Sequence, residues 1–146
     1  MNYNAIEILF VEDSIDDATL TMRALKKSGL SNTILHVKDG AEALDFMYCK
    51  GIYVSRNMQD KPKLILLDLK MPKVSGIEVL EKIKSDSLFL TIPVVILTSS
   101  KEDPDIKRCY ELGANSYIVK PVESENFFQT IRELGMYWAI LNQLPQ

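Results

Sequence analysis

Four apolar runs in this chain each stop at a polar residue, and their order leaves few folds open. Ile6-Glu7-Ile8-Leu9-Phe10-Val11 ends at Glu12 and Asp13, and Lys63-Leu64-Ile65-Leu66-Leu67 ends at Asp68. Pro93-Val94-Val95-Ile96-Leu97 ends at Thr98, and Ser116-Tyr117-Ile118-Val119 ends at Lys120. Short, nearly unbroken apolar runs are what strands buried on both faces look like. In a parallel sheet the four C-terminal ends lie on one edge. Three carboxylates, a hydroxyl and an ammonium then converge on one crevice.

The segments between these runs carry helix signals. A helix is expected over Ile15 to Lys27, with Ser14 as its cap and Asp16 and Asp17 in its first turn, where the helix dipole favours negative charge. Ala18, Met22 and Leu25 share one face, and Gly29 ends it. A second strand covers Thr33 to Val37. Asp39 with Glu42 forms a capping box for a helix over Gly40 to Tyr48. Ser75 with Glu78 opens a helix bearing Ile77, Leu80 and Ile83. Asp103 as N-cap, with Pro104 at the first helical position, opens another that Gly113 ends. The last helix runs from Glu123 past Trp138. Strands therefore cover Ile6–Val11, Thr33–Val37, Leu64–Leu67, Val94–Leu97 and Tyr117–Val119. Five such βα units define an α/β, three-layer sandwich around a parallel five-stranded sheet. They fit the flavodoxin-like order 2-1-3-4-5, a general doubly wound arrangement that the pattern alone does not dictate. Ligands in that arrangement bind outside the carboxyl ends of strands one and three. Those ends carry Glu12, Asp13 and Asp68.

Bulk properties narrow the class. At 146 residues one domain spanning 1–146 is expected, with an extended loop at about 51–61 and an apolar tail at about 136–146. The net charge of −3 and the lack of a Lys/Arg cluster argue against nucleic acid as partner. No apolar run reaches the roughly 18–20 residues of a membrane span, and the first residues lack a signal-peptide pattern, so the cytoplasm is the expected compartment. Cys49 and Cys109 form no CxxC and read as reduced structural thiols.

Each polar residue has an ordinary reading by itself. Asp13-Ser14 can cap a helix, Asp68 can serve a turn, and Lys120 can be a solvated lysine. Their coincidence on the ligand edge favours a shared role. Three carboxylates in one crevice repel one another and raise at least one pKa unless a cation compensates. An all-oxygen site of this kind suits Mg2+. With the cation present, an anionic phosphoryl donor is no longer repelled. Asp68 can then act as a carboxylate nucleophile, Lys120 can neutralise a phosphoryl oxygen, and the Thr98 hydroxyl can donate to another.

Glu12-Asp13, Asp68-Leu69-Lys70-Met71-Pro72 with Gly76, Thr98-Ser99 and Lys120-Pro121 together resemble the response-regulator receiver domain. The resemblance covers nearly the whole chain in order. It implies that Asp68 accepts a phosphoryl group from a histidine kinase, that the chain is not an enzyme beyond catalysing its own phosphorylation and dephosphorylation, and that the cofactor is Mg2+. It implies metal ligation by Asp13, Asp68 and the Lys70 backbone carbonyl, with Glu12 assisting through water. It also implies a cis peptide bond before Pro121 and a switch in which Thr98 moves toward the phosphate and Tyr117 turns inward, with small Ser99 leaving room. His36, the sole histidine, lies in a strand pattern and reads as structural rather than as a phosphodonor.

The chain departs from the family pattern in places. Glu12 stands where Asp is commoner. Lys70 and Ser100 occupy positions that tune access to the phosphoaspartate. The stretch Gly51 to Lys61 is longer than in minimal receivers. Only 26 residues follow Lys120, too few for a DNA-binding or enzymatic output domain, so a stand-alone receiver acting through a protein contact is expected. Its long loop, this format and the apolar tail through Tyr137, Trp138, Ile140, Leu141 and Leu144 are similar to receivers paired with cyanobacterial and other bacterial phytochrome kinases. The tail predicts a homodimer through helix four, strand five and helix five.

Other functions fit less well. A flavodoxin-type electron carrier needs a hydroxyl- and Gly-rich loop after strand one, where Glu12-Asp13-Ser14-Ile15-Asp16-Asp17 stands. A haloacid-dehalogenase-type phosphatase needs a second Asp two residues past the nucleophile, where Lys70 stands. No P-loop motif occurs. A phosphorylation-independent interaction module with a receiver fold is the remaining alternative, and the intact set Glu12, Asp13, Asp68, Thr98 and Lys120 weighs against it.

Overall fold

A computed structural model describes residues 2–27, 33–71, 73–99 and 102–120, together with Gln129 and Glu133. Its strands are β1 (Ile8–Val11), β2 (Ile34–Val37), β3 (Leu64–Leu67), β4 (Val94–Thr98) and β5 (Ser116–Val119). Its helices are α1 (Ile15–Lys27), α2 (Gly40–Met47), α3 (Gly76–Lys84) and α4 (Asp103–Glu111). All strand pairs are parallel, as the alternation predicts, and the order is β2-β1-β3-β4-β5, the flavodoxin-like one. The strands stop nearly in step: Val11 pairs with Val37 and Leu67, Leu67 with Ile96, and Thr98 with Val119.

The central strands β1, β3 and β4 are buried along their whole length, which is why they read as unbroken apolar runs. Alternate residues serve opposite faces. Leu9, Val11, Ile65, Leu67, Val94 and Ile96 pack with residues of α2, α3 and α4. Ile8, Phe10, Leu64, Leu66, Val95, Leu97 and Ile118 pack with Ala18, Ala24 and Leu25 of α1. No helix among the described residues is long and apolar enough to cross a membrane.

Local signals hold with small corrections. The Asp17 amide donates to the Ser14 hydroxyl (3.2 Å), capping α1. Asp39 accepts from the Glu42 amide (2.8 Å), but Glu42 reaches back to the Lys38 amide (3.3 Å), one residue before the cap. Ser75 caps α3 by accepting from the Glu78 amide (3.3 Å). At α4 the expected cap moves by one: Glu102 has the extended cap backbone, and Asp103 is already helical. Pro104 then sits second in the helix, where no intrahelical N–H bond is required. Gly113 takes φ +104° after Leu112, a left-handed turn suited to glycine. β1 starts at Ile8 rather than Ile6, β2 at Ile34, and β5 at Ser116; Thr98 belongs to β4.

The stretch Gly51 to Lys61, expected as an unpatterned loop, is firmly anchored. A 3-10 turn at Gly51–Tyr53 buries the Tyr53 ring edge-on against Tyr3 and Phe46. The Tyr53 hydroxyl donates to Glu42 (2.7 Å). Arg56 is 7% exposed, and its guanidinium lies 3.8 Å from the Phe46 ring centroid. It donates to the carbonyls of Tyr3 (3.3 Å), Asp60 (2.8 Å) and Phe46. Both cysteines are free thiols, and burial pushes Cys109 up to about 11. Gly29, Ser100, Pro121, most of the stretch expected as the last helix and the tail lie outside the described residues. Gln129 and Glu133, the two described residues of that stretch, are helical and joined by an i,i+4 hydrogen bond (3.1 Å).

Candidate functional site

The sheet's C-terminal edge gathers the polar residues at which the apolar runs stop. Backbone ladders extend one residue past the strands to place them: the Glu12 amide donates to Val37 (3.0 Å), the Asp68 amide to Val11 (3.1 Å), and the Lys120 amide to Thr98 (2.8 Å). Glu12, Asp13 and Asp68 each offer a carboxylate oxygen, and the three oxygens lie within 4.8 Å of one another. Glu12 and Asp68 are buried and Asp13 is exposed, so the cluster opens to solvent on one side.

Lys120 reaches into this cluster. Its ammonium donates to Glu12 (2.6 Å) and to Asp17 of α1 (2.8 Å), and stands 3.8 Å from Asp68. The Glu12 carboxylate also accepts from the Ser14 amide (3.2 Å), and its carbonyl accepts from His36 Nε2 (2.7 Å). His36 thus braces the end of β1 from the edge strand, a structural task as expected.

One ammonium does not balance these acids. Burial, assisted by the charge of Asp68, pushes Glu12 up to about 7, although the hydrogen bond to Lys120 pulls the other way. Burial alone would lower Lys120, but its bonds to Asp17 and Glu12 and the nearby Asp68 charge hold it above the ordinary lysine value. A crevice that buries carboxylates beside one another and pushes one of them toward its protonated form is suited to receive a cation. Its donors are all oxygens, which suits a hard divalent ion and not a thiolate- or imidazole-seeking one.

The remaining expected residues flank this cluster. Thr98 is fully buried at the end of β4. Tyr117 lies beside Ile96 in the ladder and packs, half-buried, on the α2–α4 side of the core. Lys70 follows Asp68 by two residues, with its side chain exposed. Gly76 begins α3 so close to β3 that its amide donates to the Leu69 carbonyl (2.9 Å). Sequence reasoning placed Asp17 only as a favourable charge in a helix's first turn and missed its bond to Lys120.

A three-layer α/β domain with an acid cluster and a lysine at the sheet edge defines a class of phosphoryl-accepting signalling domains. The response regulator receiver domain model matches residues 8–132, and the chain belongs to that family. Members of the family are signalling proteins rather than classical enzymes and take phosphoryl groups from histidine kinases. The probable methanogenesis regulatory protein FilR2 of Methanothrix harundinacea is 39% identical over 138 residues, covering 94% of this chain and 86% of its own. Response regulator Rcp1 of Synechocystis is 36% identical over 138 residues, covering 94% and 92%. Its Mn2+-bound crystal structure superposes with a TM-score of 0.77 over 95% of this chain and 98% of its own. The bacteriophytochrome response regulator RtBRR is 49% identical, with a TM-score of 0.81 over 94% of this chain and 82% of its own.

Proposed function

We propose that Asp68 is the phosphoacceptor and that this chain relays a signal from a phytochrome-type histidine kinase. The observation that carries the reading is the convergence of Glu12, Asp13 and Asp68 within 4.8 Å, with Lys120 3.8 Å from Asp68. An Asp68 carboxylate oxygen attacks the phosphorus of the donor. The new O–P bond forms as the bond to the leaving group breaks, and that group departs with its electron pair. Lys120 offsets charge on a phosphoryl oxygen, and the Thr98 hydroxyl donates to another. Asp13, Asp68 and the Lys70 carbonyl would hold Mg2+, with Glu12 contributing through water. When bound, the ion supplies positive charge that lets an anionic donor approach the acids. The same site, open to solvent beside Asp13, admits the water that later hydrolyses the phosphoaspartate.

The output is a protein contact. Thr98 and Tyr117 are the switch pair, the one ending β4 and the other on β5, packed on the α2–α4 side of the core. A homodimer through α4, β5 and the last helix, with the tail of 136–146 taking part, is the proposed form of that contact. The pairing with a phytochrome-type kinase is supported by likeness to the bacteriophytochrome response regulator RtBRR. The chain is one receiver unit working in the cytoplasm.

The test is Mg2+-dependent labelling by acetyl phosphate. Wild-type chain takes up acid-stable, base-labile label, and Asp68→Asn takes up none. Undiminished label on Asp68→Asn would remove the assignment. No label on a folded wild-type chain would favour a phosphorylation-independent interaction module.

A further inference from the structure

We infer that Asp17 is a positioning residue that holds the Lys120 ammonium in a resting position and competes for it with the phosphoryl group. The inference rests on the reading of Asp68 as phosphoacceptor and adds a regulatory contact to it.

Three distances carry the argument. The ammonium is 2.6 Å from Glu12, 2.8 Å from Asp17 and 3.8 Å from Asp68. Lys120 has three protons to give, and two already go to residues other than the phosphoacceptor. Asp17 differs in kind from the acids around it. It stands on α1 rather than at a strand end, and it is outside the cluster of Glu12, Asp13 and Asp68 that can share a cation. A cation drawn to that cluster takes Glu12 as one of its nearest charges. Asp17 keeps its hold on Lys120 when that happens.

The position of Asp17 is built, not incidental. The Ser14 amide donates to Glu12, and the Asp17 amide donates to the Ser14 hydroxyl, both over 3.2 Å. This relay fixes the first turn of α1 against the end of β1. It aims the Asp17 carboxylate across the crevice at the lysine that follows β5. The two partners are also unequally placed. The Lys120 side chain is 14% exposed, and that of Asp17 is 41% exposed. Water can take over Asp17 when the ammonium leaves, whereas the more enclosed ammonium, still bonded to Glu12, is met best by another anion in the crevice. A phosphoryl group on Asp68 is that anion. Phosphorylation therefore exchanges Asp17 for a phosphoryl oxygen at Lys120. The contact sets how readily that exchange occurs.

Removing the Asp17 carboxylate then favours the phosphorylated arrangement. A partly exposed ion pair of this type shifts an equilibrium by about two- to fivefold. Asp16 is the natural control, because it brings the same charge to the same helical turn with no bond to Lys120 among the described contacts.

The experiment uses the full chain with Mg2+ and beryllofluoride, a phosphoryl mimic, titrated by calorimetry. Labelling rates with acetyl phosphate are measured in parallel. Asp17→Asn is expected to bind beryllofluoride about two- to fivefold more tightly than Asp16→Asn. Asp17→Glu, which restores the carboxylate, returns to the wild-type affinity. Equal behaviour of Asp17→Asn and Asp16→Asn would reduce the effect to net charge and overturn the inference. Weaker binding by Asp17→Asn would overturn it in the other direction, making Asp17 a helper of the phosphorylated state. Wild-type chain that ignores beryllofluoride, while Asp68→Asn still takes label, would instead bring down the phosphoacceptor reading and this contact with it.

Discussion

Gly76 is pressed against Asp68: a Cβ at Gly76 would stand 2.1 Å from the Asp68 carbonyl oxygen. It would also lie 2.6 Å from the Leu69 Cα. Both obstacles are backbone, so neither can turn aside as a flexible side chain would. The first turn of α3 can approach the end of β3 only because residue 76 has no side chain.

Gly76→Ala is therefore expected to push α3 and the 69–75 loop away from β3. The cost is about 1–3 kcal/mol of stability, typical of overpacking at a tight contact. Denaturant unfolding measures that loss. Mg2+ affinity should fall as well, because Lys70 lies in the displaced loop. Stability within 0.5 kcal/mol of wild type would mean that the backbone yields easily here.

The two neighbouring acids at the end of β1 should answer differently to truncation. Asp13→Ala removes an exposed carboxylate that is proposed to ligate the metal directly, and Mg2+ binding should then weaken at least tenfold. Glu12→Ala should cost less in metal affinity, since Glu12 is already engaged by Lys120 and the Ser14 amide. Equal, small losses would place the metal elsewhere.

Glu12 also sets a pH dependence. Its folded value of about 7 lies above the ordinary 4.5. The metal-free folded chain thus holds a proton that the unfolded chain has lost, and this contribution to stability fades as pH rises from about 4.5 to about 7. A bound cation favours the ionised carboxylate. Mg2+ affinity should accordingly rise with pH until about 7 and level off above it, with proton release on binding below that point. Calorimetry in buffers of different ionisation enthalpy counts the protons. Glu12→Gln should flatten the curve, and an unchanged slope in that variant would shift the effect to another group.

Lys120→Ala should still take label from acetyl phosphate, more slowly, but should lose the link between phosphorylation and the β5 face that carries Tyr117. Hydrogen exchange across β5 and α4, before and after beryllofluoride, reads this directly. A normal response in Lys120→Ala would assign the coupling to Thr98 alone.

Arg56 tests the far end of the molecule. It is a buried cation whose guanidinium is met by backbone carbonyls and the Phe46 ring. Arg56→Met strands those acceptors and should cost about 2–3 kcal/mol. Arg56→Lys should not restore the loss, because an ammonium lacks the planar fork that reaches three carbonyls. Thermal unfolding measures both. The labelling rate should stay at the wild-type level.

Much of this architecture is legible in the residue pattern because burial and backbone direction leave periodic traces. Runs such as Leu64 to Leu67 announce a strand enclosed on both sides, and Asp68 then marks where it emerges. Contacts between distant side chains leave no such trace. Asp17 and Lys120 are 103 positions apart, and the pattern cannot tell which first-turn acid meets the lysine that follows β5. Arg56 was hidden for another reason. A guanidinium satisfied by backbone carbonyls from three separate segments, at Tyr3, Phe46 and Asp60, has no characteristic spacing, so its own segment reads as merely polar. The α4 cap slipped by one because Glu102 and Asp103 are both acids ahead of Pro104, and only backbone geometry separates them.

The anchored loop at 51–61 enters β3 from the sheet's N-terminal rim, while the acids and Lys120 occupy the opposite rim. Four-residue strands separate the two by roughly 13 Å. Ile52 and Val54 project into solvent there, held in place by the buried Tyr53 between them. This makes the loop a handle for laboratory use. A dye or surface tether attached through Ile52→Cys would sit on a rigid mount away from the chemistry, allowing single molecules to be followed through phosphorylation without disturbing the event being watched.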